Sequence, residues 1–480
     1  LDALGLLGVE RYALVVSKVD RVDESRVEEV SAAAGRLLPE GTPVFPLSNI
    51  TGEGVAALQQ WLDAEAVRLP AASTRGRFQV SLDRAFTLRG SGLVVTGTVA
   101  SGVVRTGDEL VLQPAGKRVR VRGIHAQDRE SETGTRGQRC ALNIAGEVAK
   151  DDIHRGDWLV DVDAGPATDR FDARVTLLAD TSVPVRHLSP VRVHIGAARV
   201  PARLYLIDRE SDRSRLAPGH SALAQLILDR QVVARHGDRF LLRDDSETLT
   251  LGGGRVLDPL APRSRKQSQG RRAWLRALEA ETAEDRLRAL LLEQQRELHS
   301  AELCGSWNLR GEELEELLSA GGLEGVRRVD TDGGQVLLSD AHWHALQAEI
   351  PRALDAWHAE NPSEPGLQPA RLRQVLRKQV PDALFLPLLS GLVSGGQVQL
   401  RDGLLTSAGH EVSIPRDERD AWQRIEPVIR RRGREIPLVS ELLMETSLDR
   451  SLLERTLRRA VKDGWLHRLN ETRHALPGEL

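Results

Sequence analysis

The sequence predicts a multi-domain protein in which a short α/β segment is followed by two β-barrels and then by tandem α+β modules. Its 480 residues exceed what one hydrophobic core supports. Short alternating strands separated by glycines occupy the middle of the chain, as in small barrels. Beyond them, a helix-turn-helix pattern that ends in a glycine-containing hairpin recurs at intervals of roughly 65 residues.

Composition narrows the class further. Hydrophobic residues make up 40% and charged residues 28% of the chain, and no apolar run approaches the roughly 18 residues that span a bilayer. Cys140 and Cys304 lie outside any CxxC or Cys/His cluster, so neither a disulfide framework nor a zinc site is predicted. We therefore expect a cytoplasmic monomer without a membrane partner. The net charge of -3 excludes a uniformly basic surface but allows a local one.

Residues 1–70 alternate apolar runs with amphipathic helices, as βαβ units do. The run Tyr12–Val16 predicts a strand buried on both faces, followed by a helix over 23–38, a strand over 43–47 and a helix over 55–66. The rest of the chain divides by pattern into five further modules and one basic, exposed linker at Arg263–Arg272. The predicted modules are β-barrels at 77–165 and 170–260 and winged helices at 272–340, 345–412 and 416–480.

Two short motifs follow neighbouring strands of the α/β segment, where open sheets place their ligands. An Asp in the first turn can accept two hydrogen bonds from a guanine edge, a Lys stem can lie across the base, and backbone N–H groups of the second turn can meet the guanine carbonyl. The alternative for either turn alone is a solvated connection. The predicted guanine-binding residues are Ser17, Lys18, Asp20, Ser48, Asn49 and Ile50. Together they resemble the guanine-specificity pair of the GTPase superfamily, with Ser17 where Asn or Thr is more usual.

No Gly-x-x-x-x-Gly-Lys-Ser/Thr run occurs in the chain, so it has no backbone cradle for phosphates and no hydroxyl ligand for Mg²⁺. The chain begins at Leu1 and its only methionine is Met444. We interpret residues 1–70 as the C-terminal part of a P-loop-type GTPase domain whose first part lies upstream. GTP or GDP with Mg²⁺ is expected in the full-length protein, whereas neither tight nucleotide binding nor hydrolysis is expected of this chain alone.

The barrel motifs extend the resemblance. Gly90–Val99 and Gly102–Asp108 are similar to the second domain of translational GTPases, the barrel that receives the aminoacyl end of tRNA. Five longer stretches and the winged helices resemble bacterial SelB, the selenocysteine-specific branch of that superfamily. The similarity therefore covers essentially the whole chain. The five stretches are Leu82–Phe86, Gly137–Gly146, His194–Arg203, Phe240–Asp244 and Gly252–Pro259.

This resemblance implies that Asp83, Arg84 and Arg139 form the pocket for the selenocysteinyl group. A selenol is ionised at neutral pH whereas the serine hydroxyl is not, so two permanently charged guanidiniums can separate the two aminoacyl-tRNAs. With serine bound, the arginine pair would lack its counter-charge, at a cost on the order of 1–3 kcal/mol. Without the resemblance, an ordinary surface Asp-Arg pair is the simpler interpretation.

The last winged helix is rich in basic residues, which have two possible interpretations. They contact an RNA backbone, or they form a solvated helical face. The candidate RNA-binding residues are Arg430, Arg431, Arg432, Arg434 and Arg468. Proteins of the SelB family usually carry four winged helices, the last of which recognises the messenger hairpin. Since the pattern here indicates about three, the module that reads the hairpin is expected to be missing.

The resemblance implies a GTP-dependent carrier that delivers selenocysteinyl-tRNA to the ribosome at recoded UGA codons, with its winged helices directed at messenger RNA. No catalytic side chain and no metal ligand is predicted within the chain. A winged-helix nucleic-acid-binding adaptor with β-barrel interaction modules is the alternative. The gamma subunit of an archaeal-type initiation factor has similar barrels, but its zinc-binding cysteines and lack of winged helices argue against it.

Overall fold

The computed structural model describes residues 2–69, 73–90, 92–181, 184–208, 215–320, 323–410 and 414–478. Ser91 of the first barrel motif, and Leu1, Pro70 and Leu480 at the ends of predicted domains, lie outside the described residues. The chain forms two compact units. The first comprises Leu1–Arg328 with Gly334–Ser339, and the second comprises Val329–Gly333 with Asp340–Leu480. No described helix is long and apolar enough to cross a membrane.

The described part of the α/β segment contains two parallel strands, three α-helices and a 3₁₀ turn at Val19–Arg21. The strands and α-helices are α1 (Asp2–Leu6), β1 (Leu14–Ser17), α2 (Glu24–Gly35), β2 (Val44–Leu47) and α3 (Val55–Arg68). The carboxylate of Asp23 accepts the backbone N–H of Arg26 and thereby caps α2. The prediction that β1 is buried on both faces is wrong, because Val15 is 43% exposed. Among the described residues β1 pairs only with β2, and α3 covers the two strands only in part, since its Trp61 packs against Phe45 of β2 with 5.6 Å between ring centres.

The first barrel is built from β3 to β11, in the order β10-β4-β3-β11-β6-β7-β8, and a β10–β7 pairing closes it. Its strands are β3 (Gln79–Leu88), β4 (Gly92–Ser101), β5 (Val103–Arg105), β6 (Glu109–Gln113), β7 (Lys117–Ala126), β8 (Arg129–Ser131), β9 (Thr133–Thr135), β10 (Arg139–Gly146) and β11 (Trp158–Asp161). Inward apolar side chains such as Phe78, Leu112 and Leu142 fill the interior. The β3–β4 pairing shifts register between Leu82 and Arg84, so that Asp83 is the extra residue of a β-bulge.

The second barrel is closed, in the order β12-β17-β15-β14-β18-β19. Its elements are β12 (Thr168–Leu177), β13 (Val185–Arg186), β14 (Ser189–Ile195), β15 (Ala198–Leu206), β16 (Arg215–Leu216), β17 (Ser221–Val232), β18 (Arg239–Arg243) and β19 (Thr250–Asp258). Phe171 and Phe240 meet edge to face at its centre, 5.3 Å apart. A Cβ atom on Gly254 would lie 2.1 Å from the carbonyl oxygen of Arg174, so glycine permits the close approach of β19 to β12.

A winged-helix module follows, and all of it except Val329–Gly333 lies in the first unit. It contains α4 (Gln269–Ala277), α5 (Ala283–Arg288) with a π-helical turn at Ala289–Glu293, β20 (Leu298–His299), α6 (Ser300–Trp307), α7 (Gly311–Ser319), β21 (Val326–Thr331) and β22 (Gly334–Ser339). Its core is shared with the second barrel, since Leu223 and Leu257 of the barrel cluster with Leu275 and Leu290 of the module.

The prediction of an exposed linker at Arg263–Arg272 is partly wrong. Helix α4 already begins at Gln269, and the side chain of Arg271 is only 11% exposed. Its guanidinium lies between the carboxylates of Asp172 and Asp258, at 2.5 and 2.7 Å, so the basic run contributes to the barrel junction.

The second unit contains two more modules, each with three helices and a hairpin. The first has α8 (Asp340–Glu360), α9 (Pro369–Leu376), α10 (Asp382–Ser394), β23 (Val398–Arg401) and β24 (Leu404–Ser407). The second has α11 (Arg416–Arg432), α12 (Val439–Thr446), α13 (Arg450–Lys462), β25 (His467–Arg468) and β26 (His474–Ala475). Trp422 and Trp465 pack together at the edge of the last core, 5.3 Å apart.

Candidate functional site

The two predicted guanine-binding turns lie side by side. Because β1 and β2 are parallel and Ser17 pairs with Leu47, both strands end at the same sheet edge. The hydroxyl of Ser48 donates to the carboxylate of Asp20 at 2.5 Å and joins the turns directly. Ser48 is fully buried, whereas Ser17, Lys18 and Asp20 are exposed. The structure therefore places an accessible carboxylate and ammonium beside the second turn.

The second turn is held by its own hydrogen bonds. Ser48 Oγ accepts the backbone N–H groups of Ile50 and Thr51 at 3.2 and 3.3 Å, and the Ser48 N–H donates to the Glu53 carbonyl at 3.0 Å. The predicted donor at Ile50 is thus engaged within the turn, while its side chain is 87% exposed. Asn49 is exposed as well.

The predicted selenocysteinyl-binding residues meet on the first barrel. Arg139, at the start of β10, binds both carboxylate oxygens of Asp83; its Nη2 lies 3.1 Å from Oδ1. Thr96 of β4 donates a third hydrogen bond to the same carboxylate at 2.7 Å. The hydrogen bonds from Arg139 hold the pKa of Asp83 below its usual value, and the same contact raises the pKa of Arg139. Sequence reasoning missed Thr96, although it lies within the glycine-rich barrel motif.

Asp83 and Arg84 also line a cavity of about 280 Å³. Its other wall is the loop around the 3₁₀ turn Lys150–Asp152. Loop side chains that share this cavity are Lys150, Asp151, Ile153, His154 and Arg155. No sequence pattern indicated this loop, because it comes close to β3 only through the closure of the barrel.

The structure corrects one part of the predicted recognition. The guanidinium of Arg139 already has a counter-charge in Asp83, and its side chain is 52% exposed. An uncharged aminoacyl group would therefore not leave Arg139 unpaired. Arg84 is exposed and forms no ion pair within the described residues. The arginine whose charge remains available to an anionic ligand is Arg84.

Most of the candidate arginines of the last module are neutralised by ion pairs with glutamates. The five predicted RNA-binding residues were Arg430, Arg431, Arg432, Arg434 and Arg468. Arg430 pairs with Glu426 at 2.7 Å, and Arg431 and Arg432 both bind the carboxylate of Glu445. Hydrogen bonding from Arg432 lowers the pKa of that carboxylate. The remaining two are exposed and form no ion pair within the described part of the chain.

Comparison with known proteins identifies the family. Three family models match: "Elongation factor Tu domain 2" over residues 92–160, "Selenocysteine-specific elongation factor, beta-barrel domain" over 172–263, and "Elongation factor SelB, winged helix" over 352–406. The selenocysteine-specific elongation factor of Escherichia coli (strain K12) is 33% identical over 472 residues, which are 97% of this chain and 72% of that protein. The chain belongs to the selenocysteine-specific elongation factors.

Other members of this family are similar to the chain over nearly its whole length. The protein from Desulfomicrobium baculatum is 29% identical over 98% of this chain and 74% of its own length. A crystal structure of a bacterial selenocysteine-specific elongation factor superposes with a TM-score of 0.64 at 17% identity, over 99% of this chain and 73% of that one, and shows the fold alone. Neither an initiation-factor subunit nor an unrelated adaptor is therefore the family of this chain.

Proposed function

We propose that this selenocysteine-specific elongation factor delivers selenocysteinyl-tRNA to the ribosome in a GTP-dependent manner and holds the selenocysteinyl group in the cavity of the first barrel. The observation that carries the proposal is that Asp83, which binds Arg139, lines that cavity together with Arg84. A selenolate is an anion at neutral pH, and a guanidinium keeps its charge at any physiological pH. Lys150 and Arg155 on the opposite wall add to the positive potential.

Within this proposal the two arginines have different tasks. Asp83 fixes the fork of Arg139 by a bidentate contact, so Arg139 acts mainly as a positioned donor. Arg84 supplies the free positive charge that distinguishes a selenolate from a hydroxyl. Asp83, besides orienting Arg139, can meet the α-amino group of the aminoacyl ester.

We also propose that the α/β segment is the C-terminal part of a P-loop-type GTPase domain. The exposed carboxylate of Asp20 and the stem of Lys18 suit a guanine base, since both lie beside the Ser48 turn. Guanine recognition is the chemistry that these residues would supply. No step is assigned to Mg²⁺, because the described residues contain no group of three metal-binding side chains and the chain has no phosphate-binding loop.

For messenger RNA and the ribosome we propose contact through the winged helices. The arginines best suited to an RNA backbone are Arg434 and Arg468, since neither is neutralised by a carboxylate within the described residues. Arg430, Arg431 and Arg432 would first have to exchange their carboxylate partners for phosphate.

The test of the cavity is the difference in affinity between selenocysteinyl-tRNA and seryl-tRNA. Arg84→Gln is expected to narrow this difference by about tenfold, or ~1.4 kcal/mol, because only the ionised ligand uses the lost charge. Arg139→Gln is expected to narrow it less, and Arg84→Lys to retain part of it, since a point charge lacks the planar fork.

Arg122→Gln serves as the matched control, because Arg122 is an exposed arginine of the same barrel and does not line the cavity. Both ligands are titrated by fluorescence at one salt concentration. Equal losses for the two aminoacyl-tRNAs in Arg84→Gln would assign this arginine to general tRNA-backbone contacts and contradict the proposed recognition.

A further inference from the structure

A cavity of about 540 Å³ lies between the second barrel and the first winged-helix module. Its walls come from the segment that follows β19, from α4, and from the stretch between the π-helical turn and the end of α6. The volume falls within the roughly 300–1,000 Å³ of small-molecule sites, which often lie where two domains meet. We call it the junction cavity; its polar and aromatic lining includes Asp258, Arg265, Arg271, Trp274, Arg296 and Trp307.

Much of the wall of the junction cavity is apolar, and part of it is aromatic. The buried side chains of Leu278, Leu290 and Leu303 line it and belong to the core that the module shares with the barrel. Trp274 and Trp307 also line it, and both are only partly buried. Two indoles in one cavity favour a planar aromatic ligand, because aromatic rings attract one another at centre distances of about 4.5–7 Å.

Arg296 supplies a cationic donor that the protein itself leaves unused. Its side chain is half-buried, and its Nε is buried without a hydrogen bond in the part of the chain that the structure describes. Its Nη2 makes only a long contact of 3.4 Å with the carbonyl of Gly270. Because a guanidinium keeps its charge, and because a buried charge without a partner is unfavourable, this arrangement indicates an anionic acceptor that comes from outside.

The backbone beside the junction cavity adopts conformations that are uncommon in proteins. Arg265 has a φ of 54° and Gln295 a φ of 50°, both in the left-handed region that non-glycine residues rarely enter. The carbonyl of Leu290, within the π-helical turn, accepts the backbone N–H of Arg296 at 2.9 Å. Left-handed residues and π-helical turns occur frequently at functional sites. Here they hold Arg296 at the cavity wall.

The charges of the lining limit the ligand to about one negative charge. Three arginines and three carboxylates line the cavity, namely Arg265, Arg271, Arg296, Asp258, Glu297 and Glu302. Asp258 is already engaged by Arg271 at 2.7 Å and by the indole N–H of Trp274 at 3.0 Å. A polyphosphate or a nucleic-acid backbone would meet as many carboxylates as cations, whereas a single carboxylate needs only Arg296.

We propose that the junction cavity binds a small planar aromatic carboxylate. Its rings pack on Trp274 and Trp307, and its carboxylate accepts charge-assisted hydrogen bonds from Arg296, whose fork matches two carboxylate oxygens. A bound ligand contacts both the barrel and the winged-helix module, so it stabilises their junction. The inference goes beyond the proposed function, since neither nucleotide nor RNA nor an aminoacyl group takes part.

The experiment titrates the full chain with 2-naphthoate and, separately, with 2-naphthamide, which has the same rings without the charge, and follows both probes by NMR. The dissociation constant of naphthoate is expected to be on the order of 0.1–1 mM, the range for a ligand of this size. Naphthamide is expected to bind about tenfold more weakly. Arg296→Gln is expected to weaken naphthoate about tenfold and naphthamide about twofold at most, and Arg296→Lys to recover part of the loss.

Arg276→Gln is the matched control, because Arg276 is an exposed arginine of α4 that does not line the cavity. Ser264→Trp is a second variant, since Ser264 is exposed and lines the cavity, and a large side chain there is expected to weaken both probes without a change of charge.

Three results would overturn the proposal. The first is naphthoate binding to the wild type that does not saturate or is no tighter than that of naphthamide. The second is an equal loss of naphthoate affinity in Arg276→Gln and Arg296→Gln, which would assign the probe to the general surface. The third is wild-type affinity for both probes in Ser264→Trp, which is informative even if Arg296→Gln does not fold.

Discussion

At the scale of single residues, two titratable groups at the junction of the second barrel and the first winged helix respond to acid in opposite ways. Desolvation lowers the pKa of His236 to about 4 and raises that of Asp238 to about 6. The imidazole of His236 contacts the Leu257 carbonyl at 2.8 Å and packs on the indole of Trp307, 5.6 Å between ring centres. Since protonation of His236 favours the unfolded chain, its contribution to stability is lost as the pH falls from 6.5 towards 4.

Asp238 opposes this loss, because a carboxyl whose folded pKa is raised stabilises the fold increasingly as the pH falls from about 6 towards 3.8. We therefore predict that His236→Phe, which keeps a ring against Trp307, loses less free energy of unfolding than the wild type when the pH falls from 7 to 4. The relative gain is expected to reach ~3 kcal/mol at most. Urea unfolding across this pH range measures it, with Asp238→Asn as the variant of opposite sign. Parallel pH profiles for His236→Phe and the wild type would contradict the assignment.

At the scale of elements, helix α4 is fastened to the second barrel by a buried ion triad. Arg271 of α4 binds Asp172 of β12 and Asp258 of β19, and Gln225 donates to the second oxygen of Asp172 at 2.8 Å. Asp172 is fully buried. Such a network is costly to break, because removal of one partner leaves an uncompensated charge away from water.

We predict that Arg271→Met lowers the free energy of unfolding of the first unit by about 3–5 kcal/mol, since two buried carboxylates lose their shared cation. Arg276→Met is the control on the same helix, because Arg276 is exposed, and a change within about 0.5 kcal/mol is expected there. Guanidinium chloride would screen the ion pair, so the measurement is made in urea. A similar small effect for both substitutions would show that the triad contributes little.

The last helix before the hairpin differs in chemistry among the three winged-helix modules. In α7, acidic side chains dominate, and the carboxylate of Glu313 accepts the backbone N–H of Gly76 at 2.8 Å, so this helix docks on its own protein. Helix α10 contains no Lys or Arg, whereas α13 carries several of them. One fold repeated three times therefore presents an acidic, an apolar and a basic helix.

At the scale of the whole molecule, the first winged helix is not an independent domain. Its core cluster includes Ile207, Leu223 and Leu257 of the second barrel. The side chain of Asn308 bonds Gln79 and Ser101 of the first barrel at 2.8 Å each. A fragment that starts near Arg272 would lose Arg271 and expose these apolar contacts, contrary to the expectation that a linker at Arg263–Arg272 separates two folding units.

We therefore predict that a fragment of residues 340–480 unfolds cooperatively, because its two modules have their own cores. A fragment of residues 272–339 is expected to show no cooperative transition, since a module of this size that lacks part of its core is marginal at best. Thermal unfolding followed by circular dichroism distinguishes the two. A sharp melt for residues 272–339 would restore the linker as a domain boundary.

Much of the local organisation could be predicted from the sequence alone. The spacing of apolar residues and the positions of turn residues such as glycine indicated the parallel pair β1 and β2, the two barrels and the helical modules. These signals depend on neighbours a few residues apart. The proximity of Asp20 to Ser48 also followed from local order, since the ends of adjacent parallel strands meet at one sheet edge. The association of Asp83 with Arg139 came from family resemblance rather than from spacing.

Tertiary structure alone decided burial and charge pairing. Arg271 is an ordinary cation of a basic run in the sequence, yet its partner Asp172 lies 99 residues away and makes it part of the junction. The same holds for Arg139, whose counter-charge comes from another strand, and for Arg199, whose partner Glu247 lies in the turn after β18. Sequence patterns report local periodicity, whereas the partner of a charge and its removal from water depend on strands brought together only when the barrels close.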